Sequence, residues 1–195
     1  MTSLLSQNTL LVNQKFTILN NQYQIFDIEN NQIGFIKEQS SFLRNILMFF
    51  IPKMLLPFNL QLFDENENLI ATISKGYTFH LAKFSIKNSQ DEEIATISQK
   101  FNFLKPSFII SDVDNNQIAT ITGNWRARDF HIIDNASEQE IGTVSKKWGG
   151  LAKEMFTHAD KYAINISESL SNESYRVALI STVIAIDLIF REGKQ

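Results

Sequence analysis

A chain of 195 residues, 44% hydrophobic and 20% charged, has enough sequence for one sizeable domain with its own core. Its net charge of −3 excludes a global pull towards nucleic acid or anionic lipid. The absence of cysteine excludes disulfides, thiolate metal sites and S-acylation.

The amino terminus reads MTSLLSQNTLLVNQKF. It has no basic n-region and only a short apolar segment, so no secretory signal is expected. The default location is cytoplasmic, with peripheral contact to a membrane allowed. Residues 1–14 read as a flexible N-terminus, and Lys15–Leu19 as a first short strand.

From Tyr23 to Lys147 one pattern recurs five times: YQIFDIENNQIGFI, NLQLFDENENLIATI, FSIKNSQDEEIATI, FIISDVDNNQIATI and FHIIDNASEQEIGTV. The anchors Ile33, Ile70, Ile94, Ile118 and Ile141 are spaced 37, 24, 24 and 23 residues apart. Upstream of each stand two apolar residues at alternate positions, then Asp27, Asp64, Asn88, Asp112 or Asp134. Alternation that ends in a turn-forming Asp or Asn predicts a β-hairpin in each copy, with Asn30-Asn31, Glu65–Asn68 and Asp114–Asn116 in turns. Five hairpins give ten strands, and Lys15–Leu19 with Tyr162–Ile166 bring the total to twelve. Two strands per repeat fit a meandering sheet or barrel better than a propeller, whose blades need four.

A small residue follows every anchor: Gly34, Ala71, Ala95, Ala119 or Gly142. On the same face, two places on, comes Ile36, Ile73, Ile97, Ile121 or Val144. If that face points inwards, the small residues leave space for something thick. A barrel of about twelve strands encloses more volume than its own side chains fill, and a helix is about 10–12 Å across.

The long first spacing marks an insertion, Ser40–Pro57, reading SSFLRNILMFFIPKMLLP. It is crowded with apolar residues, flanked by Arg44 and Lys53, and interrupted by Pro52. It is too short and too broken to span a bilayer. Two readings stand: a segment packed across the barrel, or a membrane-dipping one with basic margins, in which Leu47, Phe49, Phe50 and Ile51 touch lipid.

Further on, Arg126, Arg128, Lys146, Lys147 and Lys153 make the second half locally basic. They suit anionic headgroups, or else a solvated strand face. Trp125 and Trp148 are candidate interfacial anchors or core. His80, His131 and His158 have no metal-ligand spacing, and no nucleophile elbow, P-loop or dinucleotide fingerprint appears, so no enzyme is expected.

The chain closes on Val177–Phe190, VALISTVIAIDLIF, apolar on nearly every side. Such a helix, expected over 174–191, must be surrounded by protein or by lipid. Ser171, Asn172 and Ser174 are candidate N-caps and Glu173 suits the helix start. Fourteen residues span about 21 Å, short of a hydrocarbon core of about 30 Å, and Asp187 makes lipid exposure costlier. Enclosure by the barrel is the expectation, with Asp187 a buried carboxylate hydrogen-bonded to barrel backbone or to an arginine.

The stretch from Thr143 to Ile189 resembles the C-terminal part of the phospholipid scramblase family. The matching residues are Ser145, Lys146, Trp148, Gly149, Glu154, Phe156, Thr157, Ala159, Asp160, Ile186 and Asp187. The hairpin repeats also resemble the wider tubby-like group, including the LURP-one-related proteins. The resemblance implies a mainly β fold: a closed twelve-stranded antiparallel β-barrel enclosing a hydrophobic C-terminal helix, one domain over 1–195. It also implies a membrane-associated protein that binds phospholipids and redistributes them between leaflets. The alternative is a soluble tubby-like module that binds a lipid headgroup or a protein partner and moves nothing.

Departures from the family qualify this. Its acidic calcium-binding segment is here HADKYAINISES, where His158 and Ser169 replace acids and only Asp160 and Glu168 remain as metal-binding candidates. Calcium takes six to eight oxygens, so no tight site, and no cofactor, is expected. The family's cysteine cluster is replaced by the Ser40–Pro57 insertion, whose apolar residues are a candidate substitute for acylation. Phospholipid or a membrane surface is the expected partner, a protein partner is the alternative, and nucleic acid is not expected.

Overall fold

The computed structural model describes residues 3–16, 21–39, 50, 55–77, 81–100, 107–124, 129–145 and 161–192. A short helix, α1 (Ser3–Ser6), leads into β1 (Thr9–Phe16) and β2 (Asn21–Phe26). The chain continues through β3 (Gln32–Glu38), β4 (Phe58–Asp64), β5 (Leu69–Lys75), β6 (Lys83–Asn88) and β7 (Glu93–Lys100). Then follow β8 (Ser107–Ser111), β9 (Gln117–Asn124), β10 (Asp129–Asp134), β11 (Glu140–Ser145), β12 (Lys161–Ile166) and a long helix, α2 (Glu173–Glu192). Each strand pairs antiparallel with its neighbours in sequence, and β1 pairs with β12, so the sheet closes into a barrel.

The five repeats are five hairpins, and the first four share one turn chemistry, while the longer fifth turn caps Asp134 with Ser137. Asp27 Oδ1 accepts from the backbone N–H of Glu29 and Asn31, and its Oδ2 accepts from the Asn31 side-chain amide. Asp64 and Asp112 repeat the arrangement with Asn68 and Asn116. Asn88 does the same through its carbonyl oxygen. Within each loop one residue takes a left-handed conformation: Asn30, Glu67, Asp91, Asn115 or Glu138. The left-handed residue closes the short loop, and a little beyond it the returning strand carries one extra residue, a β-bulge. In the β2–β3 pair the register shifts between Ile25 and Phe26, and the other four hairpins shift likewise. The extra residues are Ile33, Ile70, Ile94, Ile118 and Ile141. The anchors of the sequence repeat are thus the bulges themselves, packed against the core.

The small residues after each bulge face inwards and are buried, as are the branched residues two places on. At Gly142 an added Cβ would stand 3.0 Å from the Asn165 carbonyl oxygen and 3.2 Å from Ile132 Cδ1, so the neighbouring strands approach closely at this point. The stretch Arg176–Ile189 is buried without interruption, on every face of the helix, and forms one core cluster with the inward strand residues. The helix is therefore enclosed by the barrel. Of the three candidate caps, Asn172 is the one used: its Oδ1 accepts from the N–H of Tyr175 at 3.1 Å.

One boundary is corrected. Residues 3–16, expected to be flexible up to residue 14, form α1 and β1, and the first strand is Thr9–Phe16 rather than Lys15–Leu19. The physical reason is burial: Leu4, Leu5, Leu10 and Val12 all join the core. Without β1, strands β2 and β12 would present open edges.

Candidate functional site

The barrel has two chemically opposite ends. All five hairpin turns lie at one end, reading DIENN, DENEN, NSQDE, DVDNN and DNASEQ. Every copy carries acids and none carries lysine or arginine. Hydrogen bonds hold several of these carboxylates ionised. The side-chain amide of Asn116 keeps Asp112 below its ordinary pKa, and Ser137 does so for Asp134. At Asp64 burial pushes the other way, but the Asn68 and Asn66 donors outweigh it and the pKa is lowered.

The other end receives every remaining connection between consecutive strands. There β3 stops at Glu38 and the chain returns at Phe58; β9 stops at Asn124 and β10 begins at Asp129; β11 stops at Ser145 and β12 begins at Lys161. The segments between these strands contain Arg44, Lys53, Arg126, Arg128, Lys146, Lys147 and Lys153 against Glu154 and Asp160. The candidate lipid contacts therefore fall in the sequences of three connections whose flanking strand ends, Glu38 and Phe58, Asn124 and Asp129, and Ser145 and Lys161, all lie at this end of the barrel. Of them, Phe50 is described and is 81% exposed. Leu47, Phe49, Ile51, Arg126, Arg128, Lys146, Lys147, Lys153, and also Trp125 and Trp148, lie outside the described residues.

This end holds further groups that the sequence reading passed over. Tyr77 and Leu81, in the β5–β6 connection, are 58% and 44% exposed. Lys83 and Lys100 are exposed beside them on β6 and β7. The signal was present in the sequence, since a connection between two alternating runs carried Tyr and Leu where polar turn residues are usual. Inside the same end lie buried polar side chains at inward positions: Gln14, Glu38, Lys75 and Tyr162 from the wall, and Asp187 from α2. Gln14 Nε2 donates to Tyr23 Oη at 3.2 Å, and Lys75 Nζ lies 5.5 Å from the centre of the Phe58 ring. Opposite this polar sector the interior is aromatic, with Phe108 packed edge-on to Phe190 of the helix at 6.3 Å.

Asp187 is buried as expected. The buried arginine of the helix, Arg176, is engaged at the hairpin end, donating to the carbonyls of Leu170 and Gln7 and to Asn8 Oδ1. For the calcium candidates, Glu168 stands exposed between β12 and α2, and Asp160 lies outside the described residues. Among the described residues no group of three or more His, Cys, Asp or Glu side chains is placed to hold a metal ion. Nor is any helix among them long and apolar enough to cross a membrane.

Comparison with known proteins agrees with this architecture. A family model described as Scramblase matches residues 1–193. No match to a curated protein was found. Among solved structures, the X-ray structure of a protein from Arabidopsis thaliana superposes with a TM-score of 0.56 at 10% identity, covering 92% of this chain and 91% of that one. At that identity the likeness concerns the fold alone.

Proposed function

The chain belongs to the scramblase family, and on that footing we propose that it binds phospholipid bilayers and redistributes phospholipid between leaflets. The observation that supports this reading best is the contrast in charge between the two sets of strand connections. The five hairpin turns at one end are acidic, while the connections that leave the other end carry Arg44, Lys53, Arg126, Arg128, Lys146, Lys147 and Lys153 in their sequences, along with the exposed Phe50. An anionic bilayer attracts the second end and repels the first, and each lysine or arginine near such a surface contributes about 1 kcal/mol. The contacts assigned are Leu47, Phe49, Phe50 and Ile51 for the acyl boundary, and Arg126, Arg128, Lys146, Lys147 and Lys153 for headgroups. The protein then sits peripherally on a cytoplasmic face, with no catalytic residue or cofactor assigned. Asp160 and Glu168 are too few carboxylates to make calcium a requirement.

A second reading is favoured by the enclosure of α2, which takes the most apolar peptide out of reach of lipid. It makes the protein a binding module for a lipid headgroup or a protein partner that transports nothing. Flotation with vesicles containing phosphatidylserine tests the binding shared by the lipid readings, with and without calcium. A dye-quenching flip assay then separates transport from binding. The proposal expects flotation without calcium, and flipping that falls in a Phe49→Asp, Phe50→Asp variant. Flotation without flipping would leave the module reading; no flotation would remove both lipid readings.

A further inference from the structure

We propose that Tyr77 and Leu81, which follow β5 and precede β6, are further membrane contacts, so that the barrel stands end-on upon an anionic bilayer with both at the headgroup boundary. The inference rests on the phospholipid-binding reading above and adds to it an orientation and a contact set that the sequence did not single out.

Exposure alone does not choose this end. Ile28 and Val113, at hairpin tips, are 56% and 57% exposed, much like Tyr77. Charge does choose it. Ile28 stands between Asp27 and Glu29, and Val113 between Asp112 and Asp114, so anionic lipid repels both tips. Leu81 stands two residues from exposed Lys83 and across the β6–β7 hairpin from exposed Lys100.

At Ala82 the chain is anchored to β7. Buried Ala82 accepts from the Gln99 backbone N–H at 2.9 Å, and its own N–H donates to Gln99 Oε1 at 3.3 Å. Leu81 and Lys83 therefore flank a fixed point, both exposed, an apolar group beside a cation. Tyrosine is suited to the interface, with an apolar ring and a polar tip. Apolar insertion beside basic residues is the pattern by which peripheral elements bind anionic membranes.

The chain has no cysteine, so single-cysteine variants carry one probe each. Tyr77→Cys, Leu81→Cys and Val113→Cys are labelled with an environment-sensitive fluorophore and mixed with phosphatidylcholine vesicles with or without phosphatidylserine. The expected result is a blue shift and quenching by brominated lipid at positions 77 and 81, only with phosphatidylserine, and no response at 113. In parallel, the double variant Tyr77→Ser, Leu81→Ser should partition onto the anionic vesicles about tenfold more weakly with an unchanged melting temperature. If the unaltered protein floats while probes at 77 and 81 stay silent, or the probe at 113 responds, end-on docking is wrong and phospholipid binding survives. If the unaltered protein does not float, both are wrong.

Discussion

The guanidinium of Arg176, on the first turn of the central helix, donates to the carbonyl of Gln7, 169 positions earlier in the chain. The same group reaches Asn8 Oδ1 and the Leu170 carbonyl, while Asn8 accepts from the N–H of Ile166 at 2.7 Å. One buried side chain thus ties the start of β1, the end of β12 and the start of α2 together where the barrel closes. Burial lowers the guanidinium's pKa, yet arginine remains charged and keeps its planar array of donors.

Replacing Arg176 by Met removes these charge-assisted bonds and leaves carbonyls without a donor. A loss of about 2–4 kcal/mol is expected, measured by urea unfolding. Arg176→Lys should recover only part, because an ammonium cannot match three acceptors in the guanidinium's geometry. Wild-type stability in Arg176→Met would contradict this role.

Acid should unfold the protein through its turns. The pKa values of Asp64, Asp112 and Asp134 are lower folded than free. Their stabilisation is therefore complete above about pH 4, and it is lost as pH falls through the folded-state values. Melting temperatures should hold level from pH 7 to 5 and fall below 4. Asp64→Asn, which copies the turn built on Asn88, should flatten that fall at a cost of about 1 kcal/mol at neutral pH. An acid slope unchanged in this variant would place the titrating groups elsewhere.

Glu67 holds a left-handed conformation at φ 64°, where the first and fourth hairpins use Asn30 and Asn115. Asparagine tolerates that region better than a longer side chain does. Glu67→Asn should raise stability by about 0.5–1 kcal/mol, read from the unfolding midpoint. No gain would mean that the conformation costs nothing here.

At Gly123, φ is 149° and a Cβ would lie 2.2 Å from the Asp129 carbonyl oxygen. Both the conformation and the close approach of β10 require glycine. Gly123→Ala should destabilise by more than about 2 kcal/mol and broaden the NMR resonances of β9 and β10. A stability within error of wild type would mean that the strands separate at this point without cost.

The barrel and its enclosed helix were legible in the sequence because both rest on periodicity. Alternation around the turn-forming Asp or Asn wrote the hairpins, and an all-apolar helix has few places to go. That Ile33 and its counterparts are bulges was hidden, since a bulge is a property of cross-strand register, which side-chain type alone does not set. β1 was placed late because Leu10, Leu11 and Val12 run together without alternation. The basic end was half legible. Its cations were found one by one, but only strand connectivity shows that the connections whose sequences carry Arg126 and Lys146 leave from the end where Tyr77 is exposed. Arg176 was missed as a tie for a like reason: its partners lie at the opposite end of the chain.

The central claim is that the helix stays inside while the basic end meets the bilayer. Ser181, fully buried at mid-helix, and Tyr77 report on the two halves of it. Single-cysteine variants at these positions are incubated with anionic vesicles carrying a lipid-anchored maleimide, and adducts are counted by mass spectrometry. The account predicts an adduct for Tyr77→Cys and none for Ser181→Cys; the reverse pattern, a modified helix and an untouched connection, would contradict it.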